Sequence, residues 1–350
     1  MKKSLIFMLV VALLSIGLWL AFSDKSFAQP SVVESETTPQ SQIVTTNKQP
    51  ILSNKKDIKV SIAQKQFDDS IKQAAQQVSQ QYAAALQFPQ YSQPLTRFDS
   101  DRLEPNKFHP VSVPLQQGGD LVMSVSHYRI VYPEPIEVKV EGANVSAVTL
   151  NLLDVDNKKV IETKRGSRQG TGFITSFSGK EDYPRNLQVL ATVEVDNNEV
   201  PIAAQLQYMQ PSAVLVGFEQ AWPDNDNMAI PASLKVHKSG LYRLRANLFV
   251  GKEPIAHLVS RERLETGTQE IELKAHWSVL KNSSQPMSLS GFVIELMSPA
   301  PGEPSVFGQS EIDSFEILAF PFDSLQKTPY QASDAERQSL NFLKQLGGES

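Results

Sequence analysis

The 350-residue chain contains no cysteine. That removes disulfide stapling, thiol nucleophiles and cysteine-based zinc sites together. It also closes the lipoprotein route, which needs an acylatable cysteine just after a hydrophobic leader. Histidine is scarce: His109, His127, His237, His257 and His276 are all singletons, with no His-x-His or His-Glu-x-x-His pair to set two imidazoles on one ion. Four of them, from His127 onward, fall in or at the ends of expected strands, where a half-buried or wet-face histidine is the ordinary reading. No Gly-x-Ser-x-Gly elbow and no phosphate-cradling glycine loop occurs. Ser-x-x-Lys occurs at Ser53/Lys56, Ser278/Lys281 and Ser324/Lys327, but without the Ser-Asp-Asn and Lys-Thr-Gly partners of the penicillin-binding enzymes. A surplus of positive charge is missing too. The formal net charge is -5 and the basic residues are scattered, which excludes nucleic acid as the natural partner.

What is present begins with a leader. Lys2 and Lys3 precede an apolar run from Leu5 to Phe22, interrupted only by Ser15 and Gly17. Ser26 and Ala28 then place small residues at the minus-three and minus-one positions of a signal-peptidase site, with Gln29 opening the mature chain. Cleavage there removes three lysines and one aspartate, moving the formal charge from -5 to -7. The apolar core exceeds the roughly 7 to 15 residues of a signal peptide and approaches the ~20 that span a bilayer. Retention as an inner-membrane anchor is therefore the alternative to cleavage. Either way the chain is exported to the periplasm, soluble or tethered by Leu5–Phe22, and is not a lipoprotein.

Residues 29–60 carry Pro30, Pro39 and Pro50 among many Ser, Thr, Gln and Asn and read as a flexible linker. In 61–117, Phe67, Ile71, Ala75, Val78, Tyr82 and Ala85 recur at helical spacing, which predicts an amphipathic helix followed by a connecting segment. The other faces are rich in glutamine. Such a helix lies on the following domain, or docks to a partner as a short coiled coil. From about residue 118 the apolar period switches to two. Strands are expected at Leu121 to Ile130, Ile136 to Val140, Ala147 to Leu153, Val160 to Lys164, Gly172 to Phe177, Leu187 to Val195 and Val200 to Tyr208, a first sandwich over 118–210. A second set, including Ala213 to Glu219, Ala232 to His237, Ile255 to Arg261, Gln269 to His276, Leu289 to Leu296 and Phe315 to Phe320, makes a second over 211–323. Its clearest strand points Tyr242, Leu244, Ala246, Leu248 and Val250 one way and Arg243, Arg245 and Asn247 the other, as a strand with one wet face does. In the tail, 324–350, Ser333 and Glu336 form a capping box and Gly347 stops a helix that lies on the second sandwich. The predicted class is mainly β: two tandem antiparallel immunoglobulin-like β-sandwiches, with an N-terminal signal or anchor helix and short flanking helices.

The second set also carries a resemblance. Asp224-Asn225-Asp226-Asn227, the strand to His237, Ser239-Gly240-Leu241-Tyr242, Glu253-Pro254-Ile255-Ala256 and Leu264-Glu265-Thr266-Gly267-Thr268-Gln269 follow in an order similar to a class of bacterial immunoglobulin-like sandwich modules of secreted and envelope proteins. It covers about residues 212–300 as a pattern, an acidic loop before a G-x-Y strand with a G-x-Q strand after it. The resemblance implies a non-catalytic module serving adhesion, spacing or docking.

Candidate sites are few. Asp224 and Asp226 in one loop offer clustered oxygens to a calcium ion, or form a turn that Asx side chains favour for their own backbone bonds. Asp99, Asp101 and Glu104, and Asp154 with Asp156, read as solvated turns. Trp222, beside the acidic loop, is the candidate for stacking on a sugar, against the alternative of a core plug; Trp277 lies just past a strand end. The function expected is a non-catalytic binding or scaffold protein of the cell envelope, with an envelope protein or glycan as partner. A carbohydrate- or cell-wall-binding protein and a carboxylate-dependent hydrolase are the alternatives.

Overall fold

The computed structural model describes residues 56–116, 118–281 and 286–348, with backbone alone for 56–68. The leader, Ala28, Gln29 and most of the linker lie outside the described residues. Two compact units are present, one spanning Phe88–Tyr330 and one formed by the sequence on either side of it.

The larger unit is mainly β, built around two hydrophobic cores from sheets that are antiparallel except for the short edge strands Arg129–Val131 and Gln309–Ser310, which pair in parallel. After β1 (Ser92–Pro94), the first core is enclosed by β2 (Val111–Pro114), β3 (Asp120–Val125), β4 (Arg129–Val131), β5 (Ile136–Glu141), β6 (Val145–Asp154), β7 (Lys159–Arg165), β8 (Ser167–Gln169), β9 (Gly172–Phe177), β10 (Asn186–Val195) and β11 (Asn198–Met209). These form two five-stranded sheets, β2-β3-β5-β9-β8 and β4-β11-β10-β6-β7. Four strands ordered β3-β5-β9-β8 facing β11-β10-β6-β7 correspond to the A-B-E-D and G-F-C-C′ order of an immunoglobulin-type sandwich. Period-two alternation builds it: Leu187, Val189, Ala191 and Val193 of β10 are all fully buried, and each such leucine contributes about 1.5–3 kcal/mol over its exposed state.

The second core lies among β12 (Ala213–Phe218), β13 (Trp222–Asp224), β14 (Asn227–Val236), β15 (Gly240–Val250), β16 (Glu253–Leu264), β17 (Gly267–His276), β18 (Met287–Leu296), β19 (Val306–Phe307), β20 (Gln309–Ser310) and β21 (Ser314–Ile317). One sheet runs β1-β16-β15-β18-β19 with β21 also on β18; the other runs β13-β14-β12-β20 with β17 along β14. Tyr242, Leu244, Ala246 and Leu248 of β15 are all fully buried in this core, as their spacing predicts.

The sequence period misses where strands change sheets. The single strand expected from Leu121 to Ile130 is two, β3 and β4, in opposite sheets. The break is made by Asn106, whose Oδ1 accepts from the Arg129 backbone N–H at 2.8 Å while its Nδ2 donates to the Arg129 carbonyl at 2.7 Å. The connecting segment expected before residue 118 is likewise ordered into strands. β2 joins the first sandwich, and β1, upstream of it, pairs with β16 of the second. Ser92-Gln93-Pro94 has no apolar alternation; it is held by pairing and by the buried Ser92 Oγ, which accepts from the His276 N–H at 3.0 Å.

In the smaller unit, helix Lys56–Ala85 packs against helix Asp334–Leu346. The partner of each helix is thus the other, where the amphipathic patterns alone suggest docking on a sandwich. Among the described side chains of the first helix Ala75 and Ser79 are buried, and Ile71 of the expected stripe is exposed. Small residues let the helices approach, and Gln76 Nε2 donates to the Gly347 carbonyl at 2.9 Å. A Cβ at Gly347 would sit 2.9 Å from Gln76 Cγ. The Ser333/Glu336 capping box is formed as expected.

Candidate functional site

The residues singled out around Trp222 do come together, at one end of the second sandwich. The acidic stretch is the turn of a tight hairpin, with Asp224 of β13 opposite Asn227 of β14 and Asn225 at φ 51° in the left-handed region that asparagine tolerates. Across β14, the register carries Trp222 to Ala229 and on to Lys274, all on the outer face. Lys274 Nζ lies 2.8 Å from Asp224 Oδ2 and 3.1 Å from Glu272 Oε1, and these carboxylates hold the Lys274 ammonium above its ordinary range. Asp226 Oδ1 accepts from the Thr328 N–H at 2.7 Å, and Asn225 Oδ1 from Gln326 Nε2 at 3.0 Å. Both aspartates therefore have protein partners, and no group of three or more His, Cys, Asp or Glu able to hold a metal ion occurs among the described residues. Trp222 is 45% exposed, so it is a surface ring and not a core plug. Trp277 opens the short helix Trp277–Leu280, donates its indole N–H to the Thr328 carbonyl and lies under Lys281 Nζ at 4.4 Å.

Ser278 of a Ser-x-x-Lys pair meets His276 here, Oγ to Nδ1 at 2.8 Å. The same Nδ1 accepts from the Ser278 backbone N–H at 3.2 Å, so the imidazole acts as a helix N-cap. Burial pushes the His276 imidazole below its ordinary value, which suits an acceptor. A groove of about 200 Å³ lies elsewhere, over β3, β5 and β9, and its lining offers a single carboxylate, Glu137. It lacks the acid pair that glycoside hydrolysis uses.

A second polar constellation was not anticipated. The strand face expected to be wet, Arg243, Arg245 and Asn247, is half-buried or buried. Asn247 is 1% exposed: its Nδ2 donates to the Arg102 carbonyl at 2.7 Å, and His257 Nδ1 donates to its Oδ1 at 2.7 Å. Gly291, at φ 67°, leaves room for that amide, since a Cβ there would sit 2.9 Å from Asn247 Nδ2. Arg243 lies opposite Glu295 of β18 and reaches one carboxylate oxygen, Oε2, through Nε at 3.0 Å and Nη2 at 2.5 Å. Arg245 Nη2 approaches that same oxygen at 3.4 Å. Arg129 of the first sandwich stacks 4.2 Å over the Phe307 ring and donates Nη2 to the Pro105 carbonyl at 2.8 Å. Desolvation and the neighbouring Arg102, Arg245 and Arg243 push His257 down to about 4, so it is neutral at pH 7. The signal available in the sequence was Arg-x-Arg-x-Asn on one strand face; nothing in it marked the segment that covers that face.

No protein-family model matches the chain, and no curated protein matches its sequence. Solved structures that it resembles include a DUF4785 family protein of Legionella pneumophila, with 15% identity and a TM-score of 0.38, covering 50% of this chain and 52% of that one. Native alpha-2-macroglobulin of E. coli has 10% identity and a TM-score of 0.29 over 56% of this chain and 14% of its own. The two immunoglobulin domains of DIP-gamma give 6% identity and 0.21 over 55% of this chain and 96% of theirs. The chain thus spans about half the length of the first of these. At this distance no function passes from them.

Proposed function

We propose that this is an exported, non-catalytic binding or scaffold protein of the cell envelope, released by cleavage after Ala28 or tethered to the inner membrane through Leu5 to Phe22. The observation that supports it is the joint between the two sandwiches. Domain interfaces within a chain are mobile unless they are large and well packed. Here β1 anchors the chain to the second sandwich before the first begins. Arg185 Nη2 donates to the Ser305 carbonyl at 2.8 Å and the Phe307 N–H to Met209 Sδ at 3.4 Å. A stiff pair of sandwiches holds its surfaces at fixed separation, which suits a spacer or binding module. In-cell photocrosslinking from the exposed Val160, Val216 and Leu241 tests this, with discrete adducts expected in the envelope fraction. A chain confined to the cytoplasmic fraction, or turnover of an ester or glycoside that one substitution abolishes, overturns it.

A second reading, glycan binding, is favoured by the exposed indole of Trp222 on a sheet face. Retention on purified cell-wall glycan should be lost in Trp222→Ala. Equal retention in that variant, or none in the parent, removes this reading.

A further inference from the structure

We propose that the outer face of β15, β16 and β18 is an oxyanion site, taking a phosphate or carboxylate group between Arg245, Arg243 and Arg129. It goes beyond the envelope role above and does not depend on it.

The donor forks on this face are unbalanced. A guanidinium presents its N–H groups in a rigid plane that matches a carboxylate or phosphate edge, and buried donors are normally satisfied. Here the guanidinium groups of Arg243 and Arg245 converge on one oxygen, Oε2, of a single carboxylate, Glu295, whose charge also acts on Arg129. Arg243 uses its best donors on that oxygen, which leaves Arg245 one long contact at 3.4 Å. The Arg245 Nε is buried and has no acceptor among the described residues. Like charge is added across the sheet, since Arg261 of β16 lies directly opposite Arg243. In the covering segment Asp99 is committed to the Thr96 N–H and hydroxyl and Glu104 to Lys107, and the charge of Asp101 is offset by Arg102 on the same short helix. In a chain of net charge -5 this is a local surplus of positive charge on one partly covered face.

The face is also organised and reachable. Phe307 and Pro105 fix the plane of Arg129, as a donor wall requires. The side chains of Arg243 and Arg245 are each 26% exposed, so a small anion can approach them from solvent. A structural ion pair here would need Glu295 and one arginine, and Arg243 already supplies it.

The test titrates the full mature chain with inorganic phosphate and, in parallel, succinate, against chloride at matched ionic strength. Which anion binds separates the phosphate from the carboxylate source. We expect a saturable rise in the thermal midpoint with at least one oxyanion and none with chloride. Binding should weaken ~10-fold or more in Arg245→Met and strengthen several-fold in Glu295→Gln, which frees Arg243. In the unsubstituted protein the Arg245 Nε–H resonance should move as its proton gains an acceptor, a readout that stands even where Arg245→Met fails to fold. No saturable response to either oxyanion overturns the site. So does undiminished affinity in a folded Arg245→Met, or binding that leaves the Nε–H resonance in place.

Discussion

Replacing Tyr242 by Phe isolates one hydrogen-bonding group at the junction of the sandwiches. The ring is fully buried and Phe fills the same space, so no cavity is made. The phenol lies 2.8 Å from the Ser212 carbonyl and 2.7 Å from the Lys238 carbonyl. Its single proton is shared between them. Ser212 keeps two other donors without it, the His237 N–H at 2.9 Å and the Lys238 N–H at 3.2 Å. The Lys238 residue is exposed, so water can serve its carbonyl. Only one hydrogen bond is lost and no acceptor is stranded in the interior, which places the cost near 1 kcal/mol, not the ~3 of an orphaned buried group. Urea unfolding should show a midpoint shift of that size with an unchanged slope against denaturant. A loss of about 3 kcal/mol or more would mean that the Lys238 carbonyl is sealed from water and that the reasoning fails; no loss at all would mean that the phenol does not hold the Ser212 turn.

Acidification should destabilise the larger unit through His257. Its folded value of about 4 lies below the unfolded one near 6.5, so the unfolded chain takes up the proton first as pH falls. Stability is fully present above about 6.5 and is lost toward pH 4; allowing for partial solvent exposure, the loss is on the order of 1–2 kcal/mol. Denaturation midpoints across that window should flatten in His257→Gln, and an equal slope in the variant would assign the effect to other groups. Since Asp224 and Asp226 are engaged by Lys274 and Thr328, millimolar calcium should leave the thermal midpoint where a chelator leaves it. A calcium-dependent rise that Asp224→Asn abolishes would restore the cation reading. Ser333→Ala should cost about 1 kcal/mol by removing the hydroxyl arm of the capping box, while the Ser333 backbone N–H keeps its bond to Glu336 Oε2, and is read as faster amide exchange at Glu336 and Arg337. Unchanged protection there would show that packing against the first helix, not the cap, holds that end.

The parts of the fold legible from sequence are those where one physical cause acts alone. β10 and β15 alternate because each has one face on a core, and a period of two reports that directly. β1 and the β3/β4 break depend on bonds to residues far along the chain, Ser92 to His276 and Asn106 to Arg129, and no local period records such a bond. The same distinction separates the two polar sites. Trp222, Asp224 and Asp226 are neighbours in sequence, so their juxtaposition in a hairpin was readable, although their pairing with Lys274 and Thr328 was not. The arginine face was read as wet because a polar side of a strand ordinarily meets water. Its covering includes Arg102 and Arg129, which precede the second sandwich in the chain yet contact it at Asn247 and Phe307. A polar stripe that remains charged after such covering must find acceptors inside the protein or take them from solution. Glu295 Oε2 is shared by Arg243 and Arg245, and that shortfall of acceptors, which no local period in the sequence records, is what makes this face a candidate for binding an anion.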